Sequence, residues 1–270
     1  MLVNSEFYSL LLIILIISLL FYFIDMVQPN RKVNQAAFWL LAIEWCLQFV
    51  YLLSKGWGST GLFSSQSDTL FFYAWLIISF SLLAHRFLKL DLLLFLANLA
   101  GFVALALSIF VAGRDFSAEM AAQLTSEWIL IHITLAFLSY AAFTISFIIS
   151  LLYALEHFLL KKKRIKHLYR WPGLTRLDST ALLVNMVGFP LLLASLVLGL
   201  IRADDVLDIR VWQDIKVWFS LVVIGAYSFF FYLRLTRGHG GKLTAQVNIL
   251  CFLLLLANYF LSVRFTQFHS

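Results

Sequence analysis

The sequence predicts an all-α integral membrane protein: eight transmembrane helices in a single polytopic membrane domain over residues 1–270, with both termini extracytoplasmic. Three observations predict it. First, 62% of the 270 residues are hydrophobic and 13% charged, against roughly 45–50% and about 25% in soluble chains; the mean hydropathy is +0.92. Second, three prolines and 27 phenylalanines suit long helices in lipid. The alternation of apolar and polar positions over about ten residues that marks a membrane barrel is missing. Third, basic residues are divided unequally between alternate connections, and that division sets orientation.

Each span needs about 17–25 apolar residues. The first, Phe7–Ile24, follows MLVNSE. No basic residue precedes it and no small-residue cleavage site follows, so it reads as a retained helix and not a signal peptide. The second is Ala36–Leu53. The third has an apolar centre at Leu70–Ala84 and is expected to run from Asp68, taken as its N-cap, to Leu88. The fourth is Leu92–Ala112. The fifth, Trp128–Leu155, is long enough to leave the bilayer at its C-terminal end. The sixth, Ala181–Ile201, carries Gly188 and Pro190, which predict either a kink or a packing notch. Val217–Leu233 and Ala245–Val263 complete the set.

Fourteen of the 20 basic residues fall in one set of connections: Arg31, Lys32, Arg86, Lys89, the seven from Lys161 to Arg176, and Arg234, Arg237 and Lys242. The other six (Lys55, Arg114, Arg202, Arg210, Lys216 and Arg264) share the opposite side with nine acidic residues. The net charge of +6 therefore describes a cytoplasmic skirt and no nucleic-acid site. KKKR at 161–164 reads as a topology anchor, or as a patch that docks on anionic membrane lipid at about 1 kcal/mol per basic residue.

Cys46 and Cys251 lie in apolar segments without a CxxC pair, so both read as small buried side chains. RGHGGK at 237–242 lacks the strand and spacing of a phosphate loop and reads as a turn. No nucleophile–base–acid set, paired catalytic carboxylates or metalloprotease motif is present. The chain does not read as an enzyme.

The polar residues of the outer face carry the chemistry. His132 stands about 6 Å inside the start of the fifth helix at 1.5 Å per residue, and His269 is the penultimate residue. The stretch Arg202–Lys216 brings Trp212, Asp214 and Lys216 to the same face, with Trp218 just beyond. A haem site needs nitrogen ligands on iron, apolar or aromatic contact for the ring and cations for the propionates. Candidates exist for each: His132 and His269 for iron, the tryptophans for the ring, and Arg202, Arg210, Lys216 and Arg264 for the carboxylates.

HITLAFLSYAAFTISFIISLLYALEH, led by His132, resembles the histidine-led helix of the CcsA/CcmC/CcmF (cytochrome c assembly) superfamily of haem-handling membrane proteins. SQSDTLFFYAWL and the ending NYFLSVRFTQFHS are similar to its earlier segment and its final helix. LLFYFIDMVQPNRKVNQAAFWLLAIEW (19–45) resembles one branch of that superfamily, encoded beside haem-biosynthesis genes in Gram-positive bacteria. The resemblance implies two external axial histidines, His132 and His269, around a non-covalent b-type haem. It implies a role in lowering the level of glutamyl-tRNA reductase. Because the fifth helix runs from His132 into KKKRIKHLYR, the cytoplasmic loop 156–180 is the expected docking surface for the reductase or a protease. The resemblance also implies the plasma membrane of a bacterium as location. The superfamily's W-x-W-D-P-K-E loop corresponds to VWQDIKVW. Asp214 and Lys216 match it, Trp212 is one position off, Trp218 lies just past it, and Gln213, Ile215 and Val217 depart. A depleted tryptophan platform suits a haem binder or sensor better than a chaperone presenting haem to apocytochrome.

Other polar residues carry open readings. Glu44, in the second helix, either lines a haem or proton path or is a neutral carboxyl hydrogen-bonded within the bundle, with Gln48 one turn on. His85, His157, His167 and His239 fall at the cytoplasmic side; they read as solvated histidines, with a haem entry point at His85 as the alternative. Two competing functions remain: haem delivery in cytochrome c maturation, and a small-solute permease. The permease would want an inverted repeat, and none is visible.

Overall fold

The computed structural model describes residues 2–58, 61–88, 91–111, 126–163, 173–207, 215–238 and 240–265. Among the described residues, eight helices are long and apolar enough to cross a membrane: α1 Leu2–Val27, α2 Arg31–Trp57, α3 Gln66–Leu88, α4 Asp91–Phe110, α5 Glu127–Lys161, α6 Leu174–Leu207, α7 Ile215–Phe231 and α8 Lys242–Phe265. A π-helical turn, Tyr232–Thr236, ends α7. The number and order of spans match the apolar runs. Their ends differ, since α6 adds seven residues at its start and six at its end. Hydropathy reports lipid contact, whereas helical hydrogen bonding continues through polar turns beyond the bilayer. At 1.5 Å per residue α5 and α6 are each about 50 Å long, against about 30 Å of hydrocarbon.

The chain forms two compact units, Met1–Leu130 and Ile131–Ser270. In the first, α1 packs on α2 and α4, and α3 packs on the same two, so the four helices close into a ring. Leu11, Leu15, Leu41, Phe71, Ile77, Ile78, Leu93 and Leu105 fill it. Large apolar side chains such as Leu10, Ile13, Leu20 and Trp39 are exposed, as lipid-facing surface should be.

Asp25 fixes the α1–α2 corner by accepting from the Asn30 backbone N–H and Asn34 Nδ2, both at 2.8 Å. At the other end of the ring Lys55 pairs with Asp68 at 2.8 Å. Asp68 is not the N-cap of α3. Ser65 is: its hydroxyl accepts from the Asp68 N–H at 3.2 Å, and the Asp68 carboxylate, three residues in, takes the Ser64 N–H and hydroxyl. A carboxylate in the first turn meets the positive end of the helix dipole.

In the second unit α5 and α6 are antiparallel. Ser146 Oγ donates to Ala181 O at 3.1 Å, and Ser195 Oγ donates to His132 O at 3.0 Å. Gly188 lies between these contacts. A Cβ there would stand 3.1 Å from the Phe143 ring, and α6 is continuous through Pro190. The glycine is a packing notch and not a break. α8 runs parallel to α6 in a constant register: Asn185 Nδ2 donates to Asn248 Oδ1 at 2.8 Å, and the Gly241 N–H to Asp178 Oδ1 at 3.2 Å.

RGHGGK is a turn, as expected, with positive φ at Gly238 and Gly241. Two further readings need correction. Cys251 is buried, but Cys46 is exposed, because α2 turns Ala37, Leu41, Glu44, Gln48 and Leu52 inward and position 46 falls off that stripe. His85 is not a solvated histidine but partly buried. It sits in α3 with its ring 4.7 Å from Phe38 and 6.4 Å from Tyr22.

Candidate functional site

His132 lies in the second turn of α5, half-buried, with α6 across from it. Its Nδ1 is 2.6 Å from the Ser195 carbonyl oxygen. A carbonyl can only accept, so Nδ1 carries the ring proton and donates it. Nε2 is left with a lone pair and has no hydrogen-bond partner among the described residues. The Ser195 hydroxyl binds back to the His132 carbonyl at 3.0 Å, which ties ring and backbone to the same serine. One turn on, Gly199 makes room for the imidazole: a Cβ there would stand 2.7 Å from Cε1.

The other helices meet this level as well. Asn258 of α8 donates to Ser220 Oγ of α7 at 3.3 Å. The constant register of α8 against α6 places Asn258 beside Ser195 and so level with His132. Lys216 is one turn nearer the start of α7, close enough for its charge to act on the His132 ring. Trp218, between Lys216 and Ser220, is exposed. α6 continues 12 residues past Ser195 to Leu207, whereas α5 begins five residues before His132. The end of α6 thus rises about 10 Å above the start of α5.

Of the site residues expected from the sequence, Lys216 is within electrostatic reach of His132, and Trp218 is exposed two residues further along α7. Trp212, Asp214 and His269 lie outside the described residues. α8, described to Phe265, ends on the same face as His132, four residues before His269. Ser195 and Gly199 were not anticipated. Their signal was available as a small-xxx-small pair in an apolar helix, the spacing that lets two helices approach closely.

His132 thus stands near one end of its helical unit, held in the tautomer that offers Nε2. The family model for "Cytochrome C assembly protein" matches residues 63–269. The chain belongs to that family. Within it, Protein HemX of Bacillus subtilis (strain 168) is 44% identical over 96% of this chain and 94% of its own length. Protein HemX of Brevibacillus brevis is 42% identical over 97% of both. The cytochrome c biogenesis protein CcsA of Mesostigma viride is more distant, at 22% identity over 77% of this chain and 76% of its own. The cytochrome c assembly match begins between α2 and α3, whereas the likeness to the HemX proteins takes in nearly the whole chain. The chain is therefore a HemX-type, multi-pass member of the cytochrome c assembly family, as the 19–45 stretch implied.

Proposed function

We propose that this protein binds a non-covalent b-type haem at the outer face of a bacterial plasma membrane, with His132 and His269 as axial ligands, and that it lowers the level of glutamyl-tRNA reductase. It acts as a binder and not as an enzyme. The observation that carries the reading is the 2.6 Å contact from His132 Nδ1 to the Ser195 carbonyl. A ligating histidine typically donates its other ring N–H to a carbonyl or carboxylate, which fixes the ring and raises the basicity of the metal-binding nitrogen.

The spacing to the second ligand is permissive. Phe265 stands seven residues beyond Asn258, about 10 Å above the His132 level. Four extended residues reach about 14 Å, enough for the chain to bring His269 back down to a porphyrin. In this reading Lys216 meets a propionate. Haem bound there supplies an iron centre. What this chain supplies is the fixed imidazole, the cation and a mouth open to the outer face.

The cytoplasmic partner, the reductase or a protease acting on it, is assigned to the loop 156–180, whose described part exposes Lys161, Lys162 and Lys163. Haem delivery to apocytochrome is the second reading, favoured by the relatives named as cytochrome c biogenesis proteins.

The test is a visible spectrum of the purified protein together with reductase abundance in cells. The expected spectrum is a Soret band of low-spin bis-histidine type that His132→Ala combined with His269→Ala abolishes. Reductase abundance is expected to rise on deletion of the protein. A Soret band untouched by the double substitution rules out the ligands, and unchanged reductase rules out the regulatory role.

A further inference from the structure

Inside the ring of α1–α4 lies a group of polar side chains that the haem reading does not use. Glu44, Gln48, Ser81 and Asn98 are each 1% exposed or less. Gln48 Nε2 donates to Glu44 Oε1 at 2.5 Å, and there the pairing stops. Glu44 Oε2, Gln48 Oε1, Ser81 Oγ and both Asn98 Oδ1 and Nδ2 have no hydrogen-bond partner among the described residues. Buried polar atoms are nearly always paired, with protein or with ordered water. Five orphans in one bundle point to something that occupies the space between them.

Helix register places them together. Trp45 Nε1 bonds Ser79 Oγ, and Phe38 packs on His85, so Glu44 is level with position 79 and Gln48 with position 75. A Cβ on Gly101 would touch Ile78, which sets Asn98 level with Ser81. All four groups therefore fall within about 9 Å along the bundle axis. α2 and α4, which carry three of them, stand on opposite sides of the ring, each packed on α1 and α3.

The chemistry of the orphans selects the occupant. Asn98 Nδ2 can only donate, Gln48 Oε1 and Asn98 Oδ1 can only accept, and the Ser81 hydroxyl and an un-ionised Glu44 can do both. A bare metal ion would meet an N–H among its ligands. Water serves donors and acceptors alike, and it is the usual partner of buried polar groups that the protein leaves unsatisfied. A carboxylate at this depth with no cation beside it would be costly, so the stable form of Glu44 carries its proton.

We propose that the α1–α4 ring holds a buried, hydrated proton-binding site. In it the Glu44 acid shares its proton with ordered water that bridges Gln48, Ser81 and Asn98. Glu44 and Gln48 lie on α2, outside the stretch matched by the cytochrome c assembly model. The site does not depend on the haem reading.

Infrared difference spectroscopy of the full-length protein in detergent tests it. Wild type minus Glu44→Gln at neutral pH should show the carbonyl band of a protonated acid, shifted down in heavy water, with O–H bands that move in oxygen-18 water. Glu44→Asp should keep an acid band, which separates loss of the group from loss of the fold. Ser81→Ala and Asn98→Leu should displace the acid band and remove the oxygen-18-sensitive bands. Carboxylate bands in place of the acid band overturn the proposal, as does an acid band without bound water. A melting temperature that rises with sodium but not with choline, and only while Glu44 is present, would also overturn it by making this a cation site.

Discussion

At the scale of single residues, the His132 imidazole is held by a carbonyl at one nitrogen and by the absence of a side chain at Gly199. Those two constraints make different predictions from the loss of the ligand itself. Gly199→Ala puts a methyl 2.7 Å from Cε1, and the ring cannot swing away without giving up the Ser195 carbonyl. The expected result is a protein that still folds and still has Nε2, but holds haem about tenfold more weakly, roughly 1.4 kcal/mol. A haem titration of the purified variant reads this directly, and affinity equal to wild type would mean that the ring is not positioned by α6.

Acid gives a second outcome with a definite sign. A coordinating nitrogen must be unprotonated, so protons compete with iron for Nε2. The haem complex is complete at high pH and is lost as pH falls, never the reverse. Following the Soret band through an acid titration checks it, and release on alkalinisation instead would exclude histidine ligation.

At the scale of elements, the helix cores were legible because lipid demands long uninterrupted apolar runs, and nothing else in such a composition produces them. The helix ends were not. Leu174–Thr180 contains Arg176 and Asp178, which read as loop, yet Asp178 is what fastens the inner end of the second unit. Its carboxylate takes Arg234 at 2.6 Å, the Gly241 N–H and the Thr244 hydroxyl. Arg234 reaches it from the π turn of α7, where five-residue hydrogen bonding re-aims the side chains. Residues 56 or more positions apart in the chain give no pattern from which that cluster could be read.

The haem site was half legible for the same reason. A histidine and a lysine stand out in apolar sequence, whereas Ser195 and Gly199 look like ordinary small residues until α5 is laid against them. Asp178→Asn keeps the shape but removes the charge that Arg234 meets at 2.6 Å, and both side chains are mostly shielded. The expected cost is about 1–3 kcal/mol, seen as a lower melting temperature in detergent. No change in melting would show that the cluster does not stabilise the unit.

At the scale of the whole molecule, the distribution of basic residues over eight spans predicts both ends of the chain outside and the lysine-rich end of α5 inside. The outer-face part of the haem reading depends on it, because His132 and the end of α8 share one face and orientation decides which side of the membrane that face meets. The second unit is consistent internally, since α6 and α8 run parallel and both end at the His132 level or beyond it. Which face that is follows from charge alone. Cys46 and Cys251 are the two thiols of the chain, so Cys46→Ser with Cys251→Ser provides a background for labelling. In that background Ser270→Cys should react with a membrane-impermeant maleimide on intact cells. Lys163→Cys should react only after the membrane is opened, because the positive-inside rule keeps the 161–164 cluster in the cytoplasm. Labelling of Lys163→Cys alone on intact cells would invert the topology. The same result would place the His132 mouth on the cytoplasmic face, where an outer-face bis-histidine haem could not form.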